Sequence, residues 1–600
     1  MRTGRLRLPS LGTVLAQALA TLRRFPLVVA CAFAAAAAAI LLREDTGPDW
    51  LQAPLLAAAT LGLPLFTATT LAGERARPAV RALLAVAALA ALVAVHAAWD
   101  GWTRPVQVAR YAQLSVAFHL LVAFLPFAGR RPGAAFWQYN RIVFTRFLAA
   151  ALSSATLFLG LALALAALDK LFGVDLPRTA YFRVWVLCGF VFNTGFFLGG
   201  VPDDLDALES SREYPAILRV FAQYVLVPLV TVYLVILTLY FAKVVVGWDW
   251  PSGWIGYLVS GVAAAGILAL LLVHPLAERA DQGWIAGFAR AFWLGILPAV
   301  AMLWLAIWQR IHQYGVTEPR YFLLVLSVWL AAVAVYYGAT RSRAIPLIPA
   351  TLCVLSLATF AGPWGAYAVS RRSQAGRVRD LLAAHGVLAG GHLRRAAADF
   401  PVDDRRALSG AVRYLIATHG SRSLTPVLGD SFAARVVVRA DRRGDEPDDR
   451  ARPIVEALGV SYVSRWGDAE AAGQWFAWVP DDRGVTPVAG YDLMVTIATT
   501  PPPPADSGLA AVLVRPARAV RILRAGQALL DVPLDSVVSR ARTGAARGNV
   551  LPAAVLRVEA ANAKARALVV LRSINGYAGP RGPSVRDAQG VVLLKLASGR

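Results

Sequence analysis

Residues 345–379 read IPLIPATLCVLSLATFAGPWGAYAVSRRSQAGRVR. The first twenty are apolar; from Arg371 the chain is arginine-rich and polar. Upstream, Phe25 to Trp364 holds about eleven successive apolar stretches of about twenty residues, the helix length that a hydrocarbon core of about 30 Å requires. Downstream, Gly365 to Arg600 contains no such stretch. The pattern predicts a polytopic α-helical membrane protein of about eleven transmembrane helices with a C-terminal soluble α+β module rich in strands. Its parts are a cytoplasmic N-terminal segment over 1–24 with an interfacial helix, a bundle over 25–364 and a soluble module over 365–600.

Composition agrees. The chain is 57% hydrophobic and 16% charged, outside the usual soluble range. A net charge of +23 first suggests a nucleic-acid partner. The basic residues, however, stand in short groups between apolar segments, with no basic–aromatic stripe, so the bilayer and not nucleic acid is the partner they imply. Cys31, Cys188 and Cys353 all fall in apolar stretches, which leaves no disulfide framework or CxxC pair for the module.

The spans fall at about 25–42, 52–73, 79–99, 108–128, 147–168, 181–201, 222–246, 253–274, 288–309, 320–338 and 345–364. Arg2, Arg5, Arg7, Arg23 and Arg24 precede the first, which reads as an uncleaved anchor. Ser10 to Leu22 reads as an interfacial helix. Counting arginine and lysine on alternate sides places about twice as many on the N-terminal side, which puts the N-terminus in the cytoplasm. An odd number of spans then puts the module outside it. Arg371, Arg372, Arg377 and Arg379 argue the other way. Trp50, Trp99, Trp102, Trp248, Trp250, Trp254, Trp284 and Trp364 sit near span ends, as interfacial anchors do.

In the module, Arg377–Val387 and Asp404–Thr418 read as helices, the latter with Leu408, Val412, Leu415 and Ile416 on one face. Strands are expected at Arg435–Ala440, Trp475–Val479, Leu493–Thr499, Ala510–Arg515, Val520–Leu523, Ala567–Leu571 and Val591–Leu596. Pro501–Pro504 reads as a stiff connection.

Each candidate functional position has a plain packing reading beside it. Asn193 and Thr194 lie late in the sixth span. Gly195 and Gly199 have the small-xxx-small spacing of close helix packing, and Pro202 follows. A broken-helix substrate or ion site is the sharper alternative. Asp204 and Asp206 form a DxD that could share a hard cation, but an acidic run before a helix is commonly a dipole-matched start. His96 and His119 fall within adjacent spans, where ionisable groups are functional suspects. Glu318 lies in a short loop on the module's side, and Tyr491-Asp492 follows Gly490 in the module. No GxSxG, GxxxxGK or Rossmann fingerprint occurs. The residues thus define no catalytic set, no metal ligands and no cofactor.

Five ordered segments carry a resemblance: Phe192–Pro202, Phe221–Leu229, Tyr314–Tyr321, Gly362–Gly365 and Ser370–Gln374, with Gly490–Asp492 beyond them. Together they are similar to the domain-of-unknown-function family 4153. The resemblance implies a bacterial multi-span inner-membrane protein with a soluble tail, and it brings no reaction. The expected function is a non-enzymatic scaffold or sensor whose module binds an envelope protein or polymer. The alternatives are a small-solute transporter and a membrane-embedded transferase acting on lipid-linked glycans.

Overall fold

The structure is a computed structural model that describes residues 11–45, 48–99, 105–129, 133–247, 255–276, 283–340, 344–390, 392–437, 446–464, 474–481, 487–498, 508–514, 519–544, 550–579 and 582–597. Trp102, Trp248, Trp250, Trp254 and Pro501–Pro504 lie outside the described residues. The chain divides into two compact units, Met1–Asp380 with Tyr414–Ala433, and Leu381–Arg413 with Ala434–Arg600.

The first unit opens with α1 (Leu11–Arg24), which ends on Arg23 and Arg24, two cations suited to a helix C-terminus. Ten helices among the described residues are long and apolar enough to cross a membrane. They are α2 (Pro26–Glu44), α3 (Gln52–Gly73), α4 (Pro78–Ala98), α5 (Pro105–Phe127), α6 (Ala134–Phe172), α7 (Arg178–Leu198), α8 (Ala216–Gly247), α9 (Ile255–Leu276), α10 (Gly283–Tyr314) and α11 (Glu318–Thr340). Proline opens α2, α4 and α5, where its missing N–H costs no intrahelical bond. Helix α6 has 39 residues, roughly 58 Å at about 1.5 Å each, and starts well before the expected span.

The eleventh apolar stretch forms only the twelve-residue α12 (Leu347–Ala358), because Pro346 delays its start and Gly362-Pro363 stops the stretch from continuing. At about 18 Å it is shorter than a hydrocarbon core. It still runs antiparallel to α11. Tyr337 Oη donates to Ala344 O (2.8 Å), Trp329 Nε1 to Thr351 Oγ1 (3.0 Å) and Tyr321 Oη to Trp364 O (2.6 Å).

Two spans carry a turn of π-helix, Leu187–Phe192 in α7 and Phe221–Leu226 in α8. In the first, Cys188 O accepts from Asn193 N–H and also from the Ser154 hydroxyl of α6 at 2.5 Å. Such turns are rare, and they concentrate at functional sites. The second falls in a segment that carried the resemblance, and the first ends at Phe192, where another such segment begins.

Beyond α12 come α13 (Ala366–Ala384) and α14 (Val402–His419). Leu408, Val412, Leu415 and Ile416 are buried as the helical spacing requires. The division between the two units falls within α14.

The second unit holds a short antiparallel pair, β1 (Leu388–Ala389) and β2 (His392–Leu393), and a nine-stranded sheet. Its strands are β3 (Gln474–Pro480), β4 (Leu493–Ala498), β5 (Leu509–Val514), β6 (Ala519–Arg524), β7 (Gln527–Pro533), β8 (Val550–Leu551), β9 (Arg557–Ala561), β10 (Ala565–Gly579) and β11 (Gly582–Leu596). The order is β7-β6-β5-β4-β11-β10-β3-β8, with β9 also beside β10. The β10–β11 pair runs from Ala565 opposite Leu596 to Gly579 opposite Gly582 and forms the spine of the sheet. Phe476, Trp478, Val520, Ile522, Val569, Leu571, Val592 and Leu594 belong to its buried core.

Within the nine-stranded sheet three strands exceed the sequence reading, β7, β8 and β9, as does the short β1–β2 pair. In β7, Leu530 and Val532 are buried while Asp531 between them faces out to Arg521, its cross-strand partner in register. The Arg435–Ala440 strand is corrected. Ala433–Val437 is a helical turn continuing from Asp430–Phe432, so tertiary packing overrides the β-branched run, and 438–440 lie outside the described residues.

Candidate functional site

The acidic run after α7 is occupied by arginines. Arg24, at the end of α1, pairs with Glu74 (2.7 Å) and Asp203 (2.6 Å), and donates to Val201 O and Pro202 O. Arg75 reaches Asp206 (3.0 Å) and Asp204 (3.3 Å). Glu209 accepts from the N–H groups of Ala134 and Ala135 at the start of α6, where exposed amides and the helix dipole favour an anion. These carboxylates fasten span ends to one another, and a cation at Asp204 and Asp206 would have to displace Arg75.

Asp204 also accepts from the backbone N–H of Asp206 (2.8 Å) and Ala207 (3.2 Å). Those two hydrogen bonds, helped by Arg75, hold its pKa below the ordinary carboxylate value. A lowered folded-state pKa contributes stability above the unfolded value, about 3.9, and that contribution is lost as pH falls through the folded value. The turn is therefore expected to survive intact down to about pH 4 and to loosen only below it. Asp204→Asn should abolish that acid transition in a pH series of thermal melts; an unchanged profile would remove this role.

Asn193, Thr194 and His119 come together. With Asn140 and Thr67 they line a cavity of about 390 Å³ among α2, α3, α5, α6 and α7. His119 Nδ1 lies 2.7 Å from Ser115 O, and the Asn140 amide donates to Phe136 O and Ala123 O. His96 is half-buried near the end of α4 and lines no part of this cavity. A side chain at Gly195 would meet no heavy atom within 4 Å, and one at Gly199 only Thr21 and local backbone. The close approach falls one residue later, at Gly200 against Arg146.

Glu318 has the most enclosed setting of the candidates. It opens α11 and is 5% exposed. Its Oε2 accepts from the Tyr414 hydroxyl, and its Oε1 lies 3.0 Å from His419 Nε2. Ser370, fully buried on α13, lies against the same phenol. Burial, then the Glu318 charge, push the Tyr414 phenol far above its ordinary pKa, so it stays a donor. The preceding loop is clasped from α13. Gln374 Nε2 donates to Tyr314 O and Val316 O, Val316 N–H donates to Ser373 Oγ, and Arg377 donates to Gln313 O. Gly315 adopts φ +72°, and a Cβ there would lie 2.7 Å from Gln374 Nε2. Nearby, Tyr367 donates to Gln113 Oε1, Gln113 binds Thr359 and Ser356 O of the α12 segment, and Arg110 stacks on the Tyr367 ring.

The residues missed by sequence reasoning are thus Tyr414, His419, Ser370 and Asn140. The available signal was Glu318 itself, a carboxylate at the head of a span that needs a partner.

In the second unit, Tyr491 donates to Glu559, which also pairs with Arg566 (2.9 Å), and Arg566 lies over the Tyr491 ring. Asp492 donates its backbone N–H to Leu594 O. Both stand at the turn that leads into β4.

Ten long apolar helices followed by a strand-rich region define an integral membrane protein of the multi-pass class. The chain belongs to the family described as domain of unknown function (DUF4153), whose model matches residues 29–390. The match includes the early spans and ends before Gly490–Asp492. It takes in Glu318 and the Ser370–Gln374 clasp and excludes Tyr414 and His419. An uncharacterized protein of Pasteurella multocida (strain Pm70) is 29% identical over 204 residues, which cover 32% of this chain and 33% of that relative. No solved structure matches.

Proposed function

We propose that this protein is a scaffold or sensor of the bacterial cell envelope, set in the inner membrane, whose strand-rich module binds an envelope protein or polymer. The observation that carries the reading is the buried junction of Glu318 with Tyr414 and His419. It ties the end of α14, a helix whose first turns belong to the second unit, to the head of a membrane-spanning helix. A binding event that strains α14 would be felt at α11. Exposed apolar residues of the module, Val488 and Met494, are suited to partner contact. Photo-crosslinkers at these two positions of the full-length protein in cells should trap a discrete envelope component. Only diffuse lipid or solvent products would overturn the reading.

An N-terminus in the cytoplasm and a module across the membrane fit the arginine distribution. Ten helices long enough to cross are an even number, so this reading requires the shorter α12 segment to complete an eleventh crossing. Two of the opposing arginines have structural duties, since Arg372 donates to Pro363 O and Arg377 to Gln313 O near the end of α10. A phosphatase fused after Arg600 is expected to be active and a fluorescent protein dark; the reverse pattern would invert the topology. Small-solute transport is a second reading, favoured by the cavity of His119, Asn140, Asn193 and Thr194. Asn193→Ala with its fold intact would then abolish flux.

A further inference from the structure

We infer that the α9–α10–α11–α12 end of the bundle binds one phospholipid with an anionic headgroup, its acyl chain lying along α9 and its phosphate at Arg290. Two adjoining cavities, about 500 and 480 Å³, share Leu271, Ile345 and Ile348 as walls. On α9 the lining follows one stripe from Ser260 to Leu271 and continues to His274. Those fifteen residues span about 21 Å, enough for an acyl chain that crosses half of a core of about 30 Å. The walls are mainly leucine, isoleucine, alanine and tryptophan; His274 and Arg290 line the second cavity, and Ser260 stands at the far end of α9's lining of the first.

The His274 end sits at headgroup depth by its aromatic residues. Trp137 stacks on Tyr214 and donates to Leu271 O; Trp293 stacks on Tyr337, which is tied to Ala344 O. Tryptophan and tyrosine favour the interface, where one face is apolar and one edge wet. Because these rings are held by hydrogen bonds and stacking, the cavity walls cannot simply collapse. The basic side chains that line the two cavities are His274, Arg290 and Arg141. Arg141 is engaged by Gln138 and, at 3.6 Å, by Glu213, the acidic group on this rim. Arg290 is exposed and makes no ion pair among the described residues. A basic pocket between spans beside an apolar channel matches the headgroup and tail of an anionic lipid. Inside the deeper cavity, the Ser260 hydroxyl is buried without a hydrogen-bond partner among the described residues.

The test uses the full chain in detergent, titrated with phosphatidylglycerol, phosphatidylcholine or inorganic phosphate, with retained lipid counted by native mass spectrometry and stability read by melting. Phosphatidylglycerol should be retained preferentially and should raise the melting temperature. Arg290→Gln, a change at an exposed position, should cut that preference about fivefold. Ala264→Phe, which fills the channel, should lower retention of both lipids. Equal retention of the two lipids, an unchanged preference in Arg290→Gln, or the same melting shift from inorganic phosphate alone would each overturn the inference.

Discussion

His419→Leu in the full-length protein is expected to lower stability by about 3 kcal/mol, read from chemical or thermal unfolding in detergent. The substitution keeps the volume near His419 apolar and filled, so cavity formation adds little. What changes is Glu318. Glu318 is 5% exposed; its Oε2 accepts from the Tyr414 hydroxyl, and its Oε1 lies 3.0 Å from His419 Nε2 without hydrogen-bond geometry. Removing the imidazole leaves one carboxylate oxygen facing apolar packing, and burying an incompletely paired charge is among the costliest changes a protein tolerates. Adding Glu318→Gln should recover most of the loss, because the amide is neutral and its oxygen still accepts from Tyr414. Tyr414→Phe, which removes one hydrogen bond and leaves the His419 contact, should cost less, about 1–2 kcal/mol. A His419→Leu variant within about 0.5 kcal/mol of the parent, or a double variant no better than the single, would deny the junction its role.

The helical bundle was legible because length and hydropathy alone define a span, and all ten long helices coincide with expected ones. The eleventh was legible as apolar but not as short, since Pro346 and Pro363 limit a helix in ways a hydropathy window averages away. The π-helical turns were not legible: shifting a backbone bond by one residue leaves no mark in side-chain pattern. Strand β9, with Glu559 and Arg557 in it, hid because its partners Tyr491 and Arg566 supply the reason for its polarity from elsewhere in the chain. The same holds for the site. Glu318 declared itself by position, but Tyr414 stands 96 residues away, and only the tertiary fold could name it. Asp204 and Asp206 looked like metal ligands because the sequence shows carboxylates and not the Arg75 that faces them.

Gly195 and Gly199 illustrate the other limit, for neither is the tight position: the close approaches fall at Gly200, just past α7, and on another helix. At Gly266 of α9 an added Cβ would fall inside the Phe292 ring of α10, with even Cδ2 only 2.8 Å away. Phe292 is 0% exposed and packs edge-on against Trp293 at 5.2 Å and beside Phe288, so the ring has nowhere to withdraw. Gly266→Val is therefore expected to cost about 3 kcal/mol or more, through overpacking and helix separation together. The gain in helix propensity from losing glycine, at most about 1 kcal/mol, is too small to offset it. Phe292→Ala alone should cost about 3–5 kcal/mol by leaving a cavity. Combined, the two changes should cost clearly less than their sum, since the valine fills part of the space the ring vacates, and coupling between touching residues reaches about 0.5–3 kcal/mol. Gly195→Ala, which meets open space, is the matched control and should lie within about 0.5 kcal/mol of the parent or above it. Unfolding of the four variants and the parent in one detergent decides the matter: strict additivity would mean that Gly266 and Phe292 do not touch, and a damaging Gly195→Ala would return the tight contact to α7.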